Sequence, residues 1–468
     1  MKKKNALIYI TLVVMICILP FAAMSVCKTT VTSENKKLAE LPSIKTDDGG
    51  INLEYMSSLG DYFSERFAFR QKLVSANSWL SAKIYKTSTV ADVILGQDDW
   101  LYYSATLDDY RHDNPVSERE LYNMAHNMKL MQEYVEGTGA KFVFTIAPNK
   151  NSLYGEWMPE SYKHIINDKS DAQRLKPYLE AENVKYVDLF ELFNEQEEIL
   201  YYKKDSHWNH KGAVLVYNEL LDAVNYEHYT YEDIEPQVVD NYYGDLDKML
   251  YADFAKPESD YKYMDYFPYA YLDPAATVED QTIETISPGQ TGNVLMYRDS
   301  FGNTLLPYFA SAFKNGYFSK VVPYPITDLD EYQPDVVVVE KVERHLPTLA
   351  SVPPIMPATE AKQSAYESLD LADAAWSGEN MAEYTVSDSN GYVKIEGLVN
   401  ETAIDCDSPI AVRVNKGSDS IIYDAFCTSS KSGDYGFEAY LTLGESDVYS
   451  IDIIGVKDGL SVVLKEGN

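Results

Sequence analysis

The segment at residues 201–212, YYKKDSHWNHKG, carries the pair of side chains best suited to chemistry. Asp205 and His207 lie two residues apart, so in an extended segment both side chains point to the same face. A carboxylate beside an imidazole orients the ring and stabilises its charged form, and the imidazole can then act as a general base. Such a pair needs a nucleophile from elsewhere in the fold.

The best candidate nucleophile is Ser300, within the run VLMYRDSFGN at residues 294–303. The pattern places this serine between a buried strand and a helix, near the positive end of the helix dipole. The N–H groups around Gly302 and Asn303, with that of Ser300 itself, would help to bind an oxyanion. The alternative is that Asp299 or Ser300 only caps the helix. The Asp-x-His pair in the same fold favours the catalytic interpretation.

Three neighbours of the pair have alternative interpretations. Trp208 is bulky enough to shield Asp205 and His207 from water. His210 is a rival base, but its position favours the start of the next helix. A metal site made of Asp205, His207 and His210 lacks a fourth ligand with suitable spacing, so neither a metal nor another cofactor is predicted.

Further polar residues follow strand ends and are expected to line the same cleft. Asn149 and Lys150 come after one predicted strand, where an amide can donate to an oxyanion or simply form a turn. Arg298 flanks the serine and is expected to bind a carboxylate or to pair with Asp299. The segment 340–344 is given a mainly structural role, with a buried ion pair.

Hydrophobic periodicity predicts an α/β fold. Ser117 and Glu120 form a capping box before a helix that ends near Gly137. Strands alternate with helices, which gives a parallel sheet with helices on both faces and ligands at the carboxyl ends of the strands. The predicted strands are 142–147, 186–189, 293–297, 317–322 and 335–340, and the other predicted helices are 171–182, 211–225 and 302–314.

Two further segments are less regular. Residues 59–70 form an amphipathic stretch that continues into a helix through residue 86, and residues 93–103 are typical of a hairpin. Residues 226–290 are rich in tyrosine, including Tyr242 and Tyr266. They are interpreted either as an insertion that covers a cleft or as a packed irregular excursion.

The N-terminal sequence and the net charge indicate where the protein is located and which partners it can bind. Three lysines at residues 2–4 precede an apolar run at 6–26, which is long enough to span a bilayer with the lysines inside and the rest of the chain outside. A cleaved signal peptide with the small residues Ala23 and Ser25 is the alternative, but the run is long for a signal core. The net charge of −33 argues against nucleic acid as a partner, because a protein that binds the phosphate backbone needs a basic surface.

The C-terminal part has a different pattern from the rest. Proline and alanine mark a boundary, and short alternating strands then predict a β-sandwich with no visible chemistry. Cys406 and Cys427 either form a disulfide or remain free. The predicted organisation is an anchor or signal segment at 1–27, a linker at 28–50, an α/β domain at 51–346, a linker at 347–380 and the sandwich at 381–468.

Four runs of sequence together resemble the DHHW proteins: ILGQDDWLYY at 94–103, APNK at 147–150, DSHW at 205–208 and RDSFG at 298–302. That family is similar to the SGNH-hydrolase-like domain of the alginate O-acetyltransferases, and the resemblance covers 52–346. It implies that Asp205 orients, His207 is the base and Ser300 is the nucleophile. Ser206 stands where the family name has its first histidine, a position outside the triad.

The resemblance implies an SGNH-like fold and acetyl transfer to an extracellular polysaccharide, fed by a membrane-bound O-acyltransferase partner. A carbohydrate-binding role would fit the C-terminal sandwich. The leading hypothesis is therefore an outward-facing serine O-acyltransferase, anchored in the cell membrane or secreted if the N-terminal segment is cleaved. Two alternatives are an esterase with water as acceptor and a non-catalytic glycan-binding or assembly protein.

Overall fold

The computed structural model of the chain describes residues 2–27, 38–46, 49–231, 233–263, 268–361, 375–376, 380–417, 419–442 and 449–467. Tyr266, most of the linker predicted at 28–50 and much of the linker predicted at 347–380 lie outside these residues.

The described strands are β1 (Val93–Leu95), β2 (Leu101–Tyr103), β3 (Lys141–Ala147), β4 (Tyr186–Val187), β5 (Gln237–Tyr242), β6 (Glu258–Lys262), β7 (Ala270–Tyr271), β8 (Thr282–Ile286), β9 (Asn293–Tyr297), β10 (Asn315–Ser319), β11 (Val336–Val342), β12 (Ala375–Trp376), β13 (Ala382–Ser389), β14 (Tyr392–Val399), β15 (Ile410–Lys416), β16 (Asp419–Asp424), β17 (Phe426–Ser430), β18 (Gly433–Leu441), β19 (Ser450–Lys457) and β20 (Leu460–Lys465).

The described α-helices are α1 (Lys2–Cys27), α2 (Tyr55–Arg66), α3 (Arg70–Leu80), α4 (Leu107–Arg111), α5 (Glu118–Gly137), α6 (Lys150–Tyr154), α7 (Asp171–Ala181), α8 (Leu189–Asn194), α9 (His210–Ala223), α10 (Asp245–Tyr251), α11 (Gly302–Ala312), α12 (Asp328–Tyr332) and α13 (Thr348–Ser351). A π-helical turn at Ser81–Tyr85 continues α3. Short 3-10 turns lie at Ser104–Thr106, Gly155–Trp157, Glu160–Tyr162, Ala252–Phe254 and Glu343–His345.

The central sheet has the strand order β4-β3-β11-β9-β10-β8-β7. The first five of these strands run parallel, which confirms the predicted α/β sheet. β8 is antiparallel to both of its neighbours, so the sheet is mixed at one edge. This edge comes from residues 226–290, which the sequence pattern presented as irregular. β8 has one face toward solvent, as antiparallel edge strands commonly do.

Helices cover both faces of this sheet, as predicted. The central strand β11 begins with four consecutive buried valines, the pattern of a strand that is buried on both faces. Val336 and Val338 pack with α9 and α11 on one face. Val337 and Val339 pack with α5 and α7 on the other.

The capping box predicted at the start of α5 is present, with Ser117 and Glu120 each bonded to the other's backbone N–H. Arg119, in the first turn of this helix, is buried, and its guanidinium donates to the carbonyl oxygens of Cys406 and Ser408. The helix therefore joins the α/β part of the chain to the C-terminal strands.

Two sheets form the C-terminal region, in the orders β12-β20-β19-β15-β16 and β13-β14-β18-β17. Their pairings are antiparallel except for β12 with β20, and residues from both sheets share one apolar core. The β-sandwich of short strands predicted for this part of the chain corresponds to these two sheets. Cys406 is exposed, Cys427 is buried in β17, and both are free thiols.

Within the described residues, one helix has the length and composition needed to cross a membrane. It is the Ala6–Met24 part of α1, near the N-terminus, where the sequence predicts an anchor or signal segment. The helix predicted to continue through residue 86 is divided, because the chain turns between α2 and α3.

Candidate active site

Asp205, His207 and Ser300 form a continuous hydrogen-bonded chain. Nε2 of His207 lies 2.8 Å from Oγ of Ser300, and Nδ1 of the same ring lies 2.7 Å from Oδ1 of Asp205. Asp205 and His207 lie in the loop that follows α8 and precedes α9, and Ser300 lies in the turn between β9 and α11. The three side chains are therefore arranged for a proton relay from the hydroxyl to the imidazole.

The Asp205 carboxylate is buried and accepts a full set of hydrogen bonds. Oδ1 accepts from Nδ1 and from the backbone N–H of His207, and Oδ2 accepts from the Tyr242 hydroxyl and the Asp245 backbone N–H, both at 2.8 Å. Burial opposes ionisation, but the charge of His207 and these hydrogen bonds hold the pKa of Asp205 well below its usual value. The carboxylate therefore stays ionised beside the ring.

The His207 ring is held by an acid on one side and an aromatic ring on the other. Burial lowers its pKa, but the charge and hydrogen bond of Asp205 raise it more, so the net pKa lies above the ordinary value. The ring of Phe301 packs edge-on against the imidazole, with 4.7 Å between the ring centroids. This contact fixes the plane of the imidazole, so that Nε2 faces the serine.

A second carboxylate, that of Asp245, lies near the same histidine. Its Oδ2 is 3.8 Å from Nδ1 of His207 and accepts a 2.6 Å hydrogen bond from the Ser206 hydroxyl. The Ser206 Oγ is also 3.2 Å from Nδ1 of His207. Ser206 therefore lies on the carboxylate side of the ring, opposite Ser300.

Two acidic groups shape the turn that presents Ser300. Asp299 accepts from the backbone N–H groups of Phe301 and Val342, which ties the turn to the end of β11. The backbone N–H of Asp299 donates to the buried carboxyl of Glu340 at 3.0 Å. Asp299 thus shapes the turn but does not cap α11, whose N-cap is Phe301 without a side-chain hydrogen bond, and Ser300 keeps its hydroxyl for His207.

The remaining residues predicted around the serine contact one another. Arg298 is buried, and burial lowers its pKa below the usual value. Its guanidinium donates to Oδ1 of Asn303, and the Asn303 amide donates to Glu279 at 3.2 Å. Arg298 does not form the predicted side-chain pair with Asp299, because it donates to the backbone oxygen of that residue instead. A Cβ atom on Gly302 would lie 2.7 Å from Cβ of Arg298, so this close approach requires glycine.

Asn149 is fully buried near the same cleft. Its side-chain Nδ2 donates to Asp109 at 2.8 Å, and its Oδ1 accepts from Arg344 at 3.3 Å. Its backbone N–H donates to Glu343. The amide therefore gives one of its two N–H donors to Asp109, and donation to an oxyanion would use the other.

Trp208 contacts the site through another ring. It is fully buried, and its ring packs edge-on against Phe301, with 4.8 Å between centroids. Phe301 in turn contacts His207. The indole therefore packs behind the ring that contacts the imidazole, and its shielding of the pair from water stays a prediction.

Lys150 supports the loop that carries Asp205 and His207. Its ammonium is buried and donates to the carbonyl oxygens of Tyr202, Lys203 and Asp205. Burial lowers the pKa of Lys150 to about 8, partly offset by the nearby Asp205 carboxylate. Its contacts position the loop, whereas the sequence suggested a place in the lining of the cleft.

We expect Lys150→Met to lower the free energy of unfolding by about 3 kcal/mol, because buried carbonyl oxygens that lose a charged donor cost roughly 1–3 kcal/mol each. Lys163→Met is the matched control, since Lys163 forms a surface pair with Glu160 that is worth about 0–1 kcal/mol. Urea unfolding of both variants measures the difference. Equal losses in the two variants would contradict the supporting role of Lys150.

Three functional neighbours escaped the sequence analysis. Tyr242 and Asp245 belong to the tyrosine-rich segment, and their contacts with Asp205 join positions far apart in the chain. Arg344 ends a run that was given a mainly structural role, yet its guanidinium lies 5.8 Å from the centroid of Phe301, the residue after Ser300. The sequence indicated Arg344 only as a basic residue that follows the last predicted strand.

The structure separates His210 from Asp205 and His207, the residues with which it was considered as a metal site. His210 begins α9, as expected, and its Nδ1 lies 2.9 Å from the Tyr308 hydroxyl, away from the pair. Within the described residues, the one cluster with metal-ligand spacing consists of Asp205, His207 and Asp245. Asp205 and His207 bond to each other in this cluster, so the hydrogen-bonded relay already uses their ligand atoms.

Residues 93–302 match the family model of the SGNH hydrolase-like domain of acetyltransferase AlgX, which confirms the resemblance predicted from the motifs. Among curated proteins no match to the chain was found.

Parts of the chain are also similar to several solved structures. PatB1 of Bacillus cereus is 17% identical, with a TM-score of 0.42, over 55% of this chain and 97% of PatB1. A DHHW family protein from Eubacterium siraeum is 13% identical, with a TM-score of 0.38, over 48% of this chain and 85% of that protein. AlgX of Pseudomonas aeruginosa is 14% identical, with a TM-score of 0.36, over 80% of this chain and 94% of AlgX.

Proposed function

We propose that the SGNH hydrolase-like domain which this chain shares with acetyltransferase AlgX over residues 93–302 is a serine-dependent O-acyltransferase that acts on a polysaccharide outside the cytoplasm. The observation that carries the proposal is the pair of hydrogen bonds that His207 makes, to Ser300 at 2.8 Å and to Asp205 at 2.7 Å. A histidine bonded to a hydroxyl on one nitrogen and to a carboxylate on the other is suited to activating that hydroxyl.

The first half of the reaction forms an acyl-enzyme. Ser300 Oγ attacks the carbonyl carbon of an acyl donor while Nε2 of His207 takes the hydroxyl proton. Asp205 stabilises the imidazolium that results. The oxyanion forms beside the amino-terminal end of α11, where the N–H groups of Ser300 and Gly302 are the expected donors. The imidazolium then gives its proton to the leaving group as the tetrahedral intermediate collapses.

The second half transfers the acyl group. A hydroxyl of the acceptor glycan attacks the ester carbonyl, His207 takes the acceptor's proton, and collapse returns the proton to Ser300 Oγ. Acetyl is the proposed acyl group. The proposed donor is a membrane-bound O-acyltransferase, and the apolar helix α1 is the proposed anchor that keeps the domain at the outer face of the cell membrane.

The domain organisation is part of the proposal. Residues 51–346 would form the catalytic unit and 381–468 a β-sandwich that carries no part of the relay, with 28–50 and 347–380 as linkers. A carbohydrate-binding role for the sandwich is compatible with this arrangement.

The deciding experiment incubates the full chain with a chromogenic acetyl ester, with and without candidate oligosaccharides, and follows products by mass. Transfer of one acetyl group to an oligosaccharide is the expected result. Release of acetate alone, with every acceptor, would favour the esterase alternative. No turnover of any ester would favour a non-catalytic glycan-binding role.

The pH dependence follows from the state of His207. The ring must be neutral to accept the serine proton, and its pKa is raised above the ordinary value of 6.5, because Asp205 outweighs the effect of burial. We therefore expect kcat/KM for ester hydrolysis to rise with pH through a midpoint above 6.5, as the imidazolium loses its proton. A midpoint below that value would contradict the role given to Asp205.

A further inference from the structure

In the helix α3 and the π-helical turn after it, small and polar residues face the protein, and large apolar residues face outward. The residues that face the protein are small, and two of them are polar: Ser75 and Ser78 are fully buried, as is most of Ala82. Ser75 accepts from the backbone N–H of Asp253, and Ser78 bonds to Thr89 at 2.6 Å. The protein therefore satisfies the serines on the inner face and leaves the large apolar residues outside.

Those outer residues form one continuous stripe. Phe69, Leu73, Leu80 and Ile84 are spaced by four, seven and four residues, which places them on one side of a helix. Each is more than two-fifths exposed, and Ile84 is 61% exposed. Single exposed apolar residues are ordinary, but a stripe of this kind marks a surface that something covers.

Cations and aromatic residues flank the stripe. Lys72, Lys83 and Lys86 are exposed and fall on one side of it by helical spacing. Trp79 lies on that side and Tyr85 on the other, about half and two-thirds exposed respectively. An apolar stripe bordered by lysines and by amphipathic aromatic rings is the composition of a helix that lies in the interface of a bilayer.

The local charge contrasts with that of the whole chain. The net charge of the chain is −33, with 73 acidic residues, yet residues 66–91 contain five basic residues and no acidic one. In the structure an acidic residue from another segment, Asp99, lies 4.0 Å from one of them, Lys83. Most of the protein surface would be repelled by an anionic lipid surface, whereas this segment would be attracted to it.

The segment is also next to the helix proposed as the anchor. The backbone N–H of Ala68 donates to the carbonyl oxygen of Pro20, at 3.2 Å, so the turn between α2 and α3 contacts α1 within its apolar Ala6–Met24 part. If α1 spans a bilayer, the stripe therefore lies close to the surface of that bilayer.

We propose that the stripe on α3 and its π-helical continuation lies on the phospholipid surface, with Phe69, Leu73, Leu80 and Ile84 among the upper acyl chains and the lysines at the phosphates. The occupant is the lipid bilayer itself, and the contact rests on the proposed anchoring by α1. A cavity of 560 Å³ is lined by Trp79, Lys83 and Lys86 together with Asp98, Asp99 and Lys204, the residue that precedes Asp205. This seating holds the catalytic loop close to the membrane.

The test uses the full chain reconstituted into vesicles of phosphatidylglycerol and phosphatidylcholine whose acyl chains carry bromine, which quenches nearby tryptophan. The contribution of Trp79 is the difference between the wild-type protein and Trp79→Phe. We expect bromine to quench this contribution strongly. Quenching that is equal in the two proteins would overturn the proposal. Protection of Trp79 from solvent that appears in native membranes but not in these vesicles would also overturn it, because it would indicate a protein partner.

Charge provides the matched control. Lys72→Glu, Lys83→Glu and Lys86→Glu together are expected to weaken the quenching of Trp79, whereas Lys169→Glu, Lys185→Glu and Lys314→Glu, the same change of charge on exposed lysines elsewhere, are expected to leave it unchanged. Equal effects of the two sets would overturn the proposal. Carbonate extraction reports anchoring by α1, and ester hydrolysis in detergent reports the catalytic site, so failures of those proposals are recognised separately.

Discussion

Ser300→Ala is expected to lower the turnover of an activated acetyl ester by at least about 10⁴-fold, because the acyl-enzyme can no longer form. The same change should abolish labelling by a fluorophosphonate probe, which reacts with activated serine hydroxyls. The substitution removes one oxygen atom from the turn and leaves the bonds of Asp299 to Phe301 and Val342 in place. The variant should therefore unfold at the same urea concentration as the wild type.

The structure supplies a matched control for this experiment. Ser206 also has its hydroxyl within hydrogen-bond distance of His207, at 3.2 Å from Nδ1, but this nitrogen is the one that faces Asp205. Ser206→Ala should keep its probe label and lose less than about tenfold in turnover, since its hydroxyl bonds mainly to Asp245. If Ser300→Ala were labelled and Ser206→Ala were not, Ser206 would be the nucleophile.

Local sequence carries much of the information about the site because the key groups are in short runs. Asp205 and His207 are two residues apart, and Ser300 lies where a strand changes to a helix, so each could be recognised without knowledge of the fold. What joins them is the parallel sheet, in which β4 and α8 precede the loop of Asp205 and His207 and β9 precedes Ser300. The buried apolar runs and the helices between them predicted the parallel sheet but not the order of its strands.

The support for the relay was not predictable in the same way. Tyr242 is one of 39 tyrosines, and it meets Asp205 from the end of β5, which pairs antiparallel with β6. β5 is mostly exposed, so its sequence has no apolar alternation that would reveal a strand. A contact that depends on the path of a polar segment leaves no periodic signal.

The α3 segment shows a different limit of sequence reasoning. Its apolar spacing predicts a helix, and a helix is present. The usual assumption that the apolar side faces the core is wrong here, because Ser75 and Ser78 occupy the inner face and bond to Asp253 and Thr89. Periodicity identifies the two faces of a helix, whereas the surroundings decide which of them is buried.

Asp205→Asn is expected to lower kcat by about 10⁴-fold while the protein remains folded, as for a triad whose histidine takes the wrong tautomer. Every hydrogen bond to the Asp205 carboxylate is accepted: Oδ1 accepts from His207, and Oδ2 accepts from Tyr242 and from the Asp245 N–H. If the amide NH₂ takes the position of Oδ1, it faces the donors of His207. If it takes the position of Oδ2, it faces the N–H of Asp245. Either orientation disturbs the relay.

The pH profile separates this electrostatic effect from a structural one. Asp205 raises the pKa of His207, so in Asp205→Asn the midpoint of the rise in kcat/KM should move to lower pH than in the wild type. Asp245→Asn is the matched control, because an amide there can still accept from the Ser206 N–H and donate to the Ser206 hydroxyl. It should retain turnover within about tenfold. A loss in Asp245→Asn as large as that in Asp205→Asn would give the orienting role to both acids, and an unmoved midpoint in Asp205→Asn would remove Asp205 from the relay.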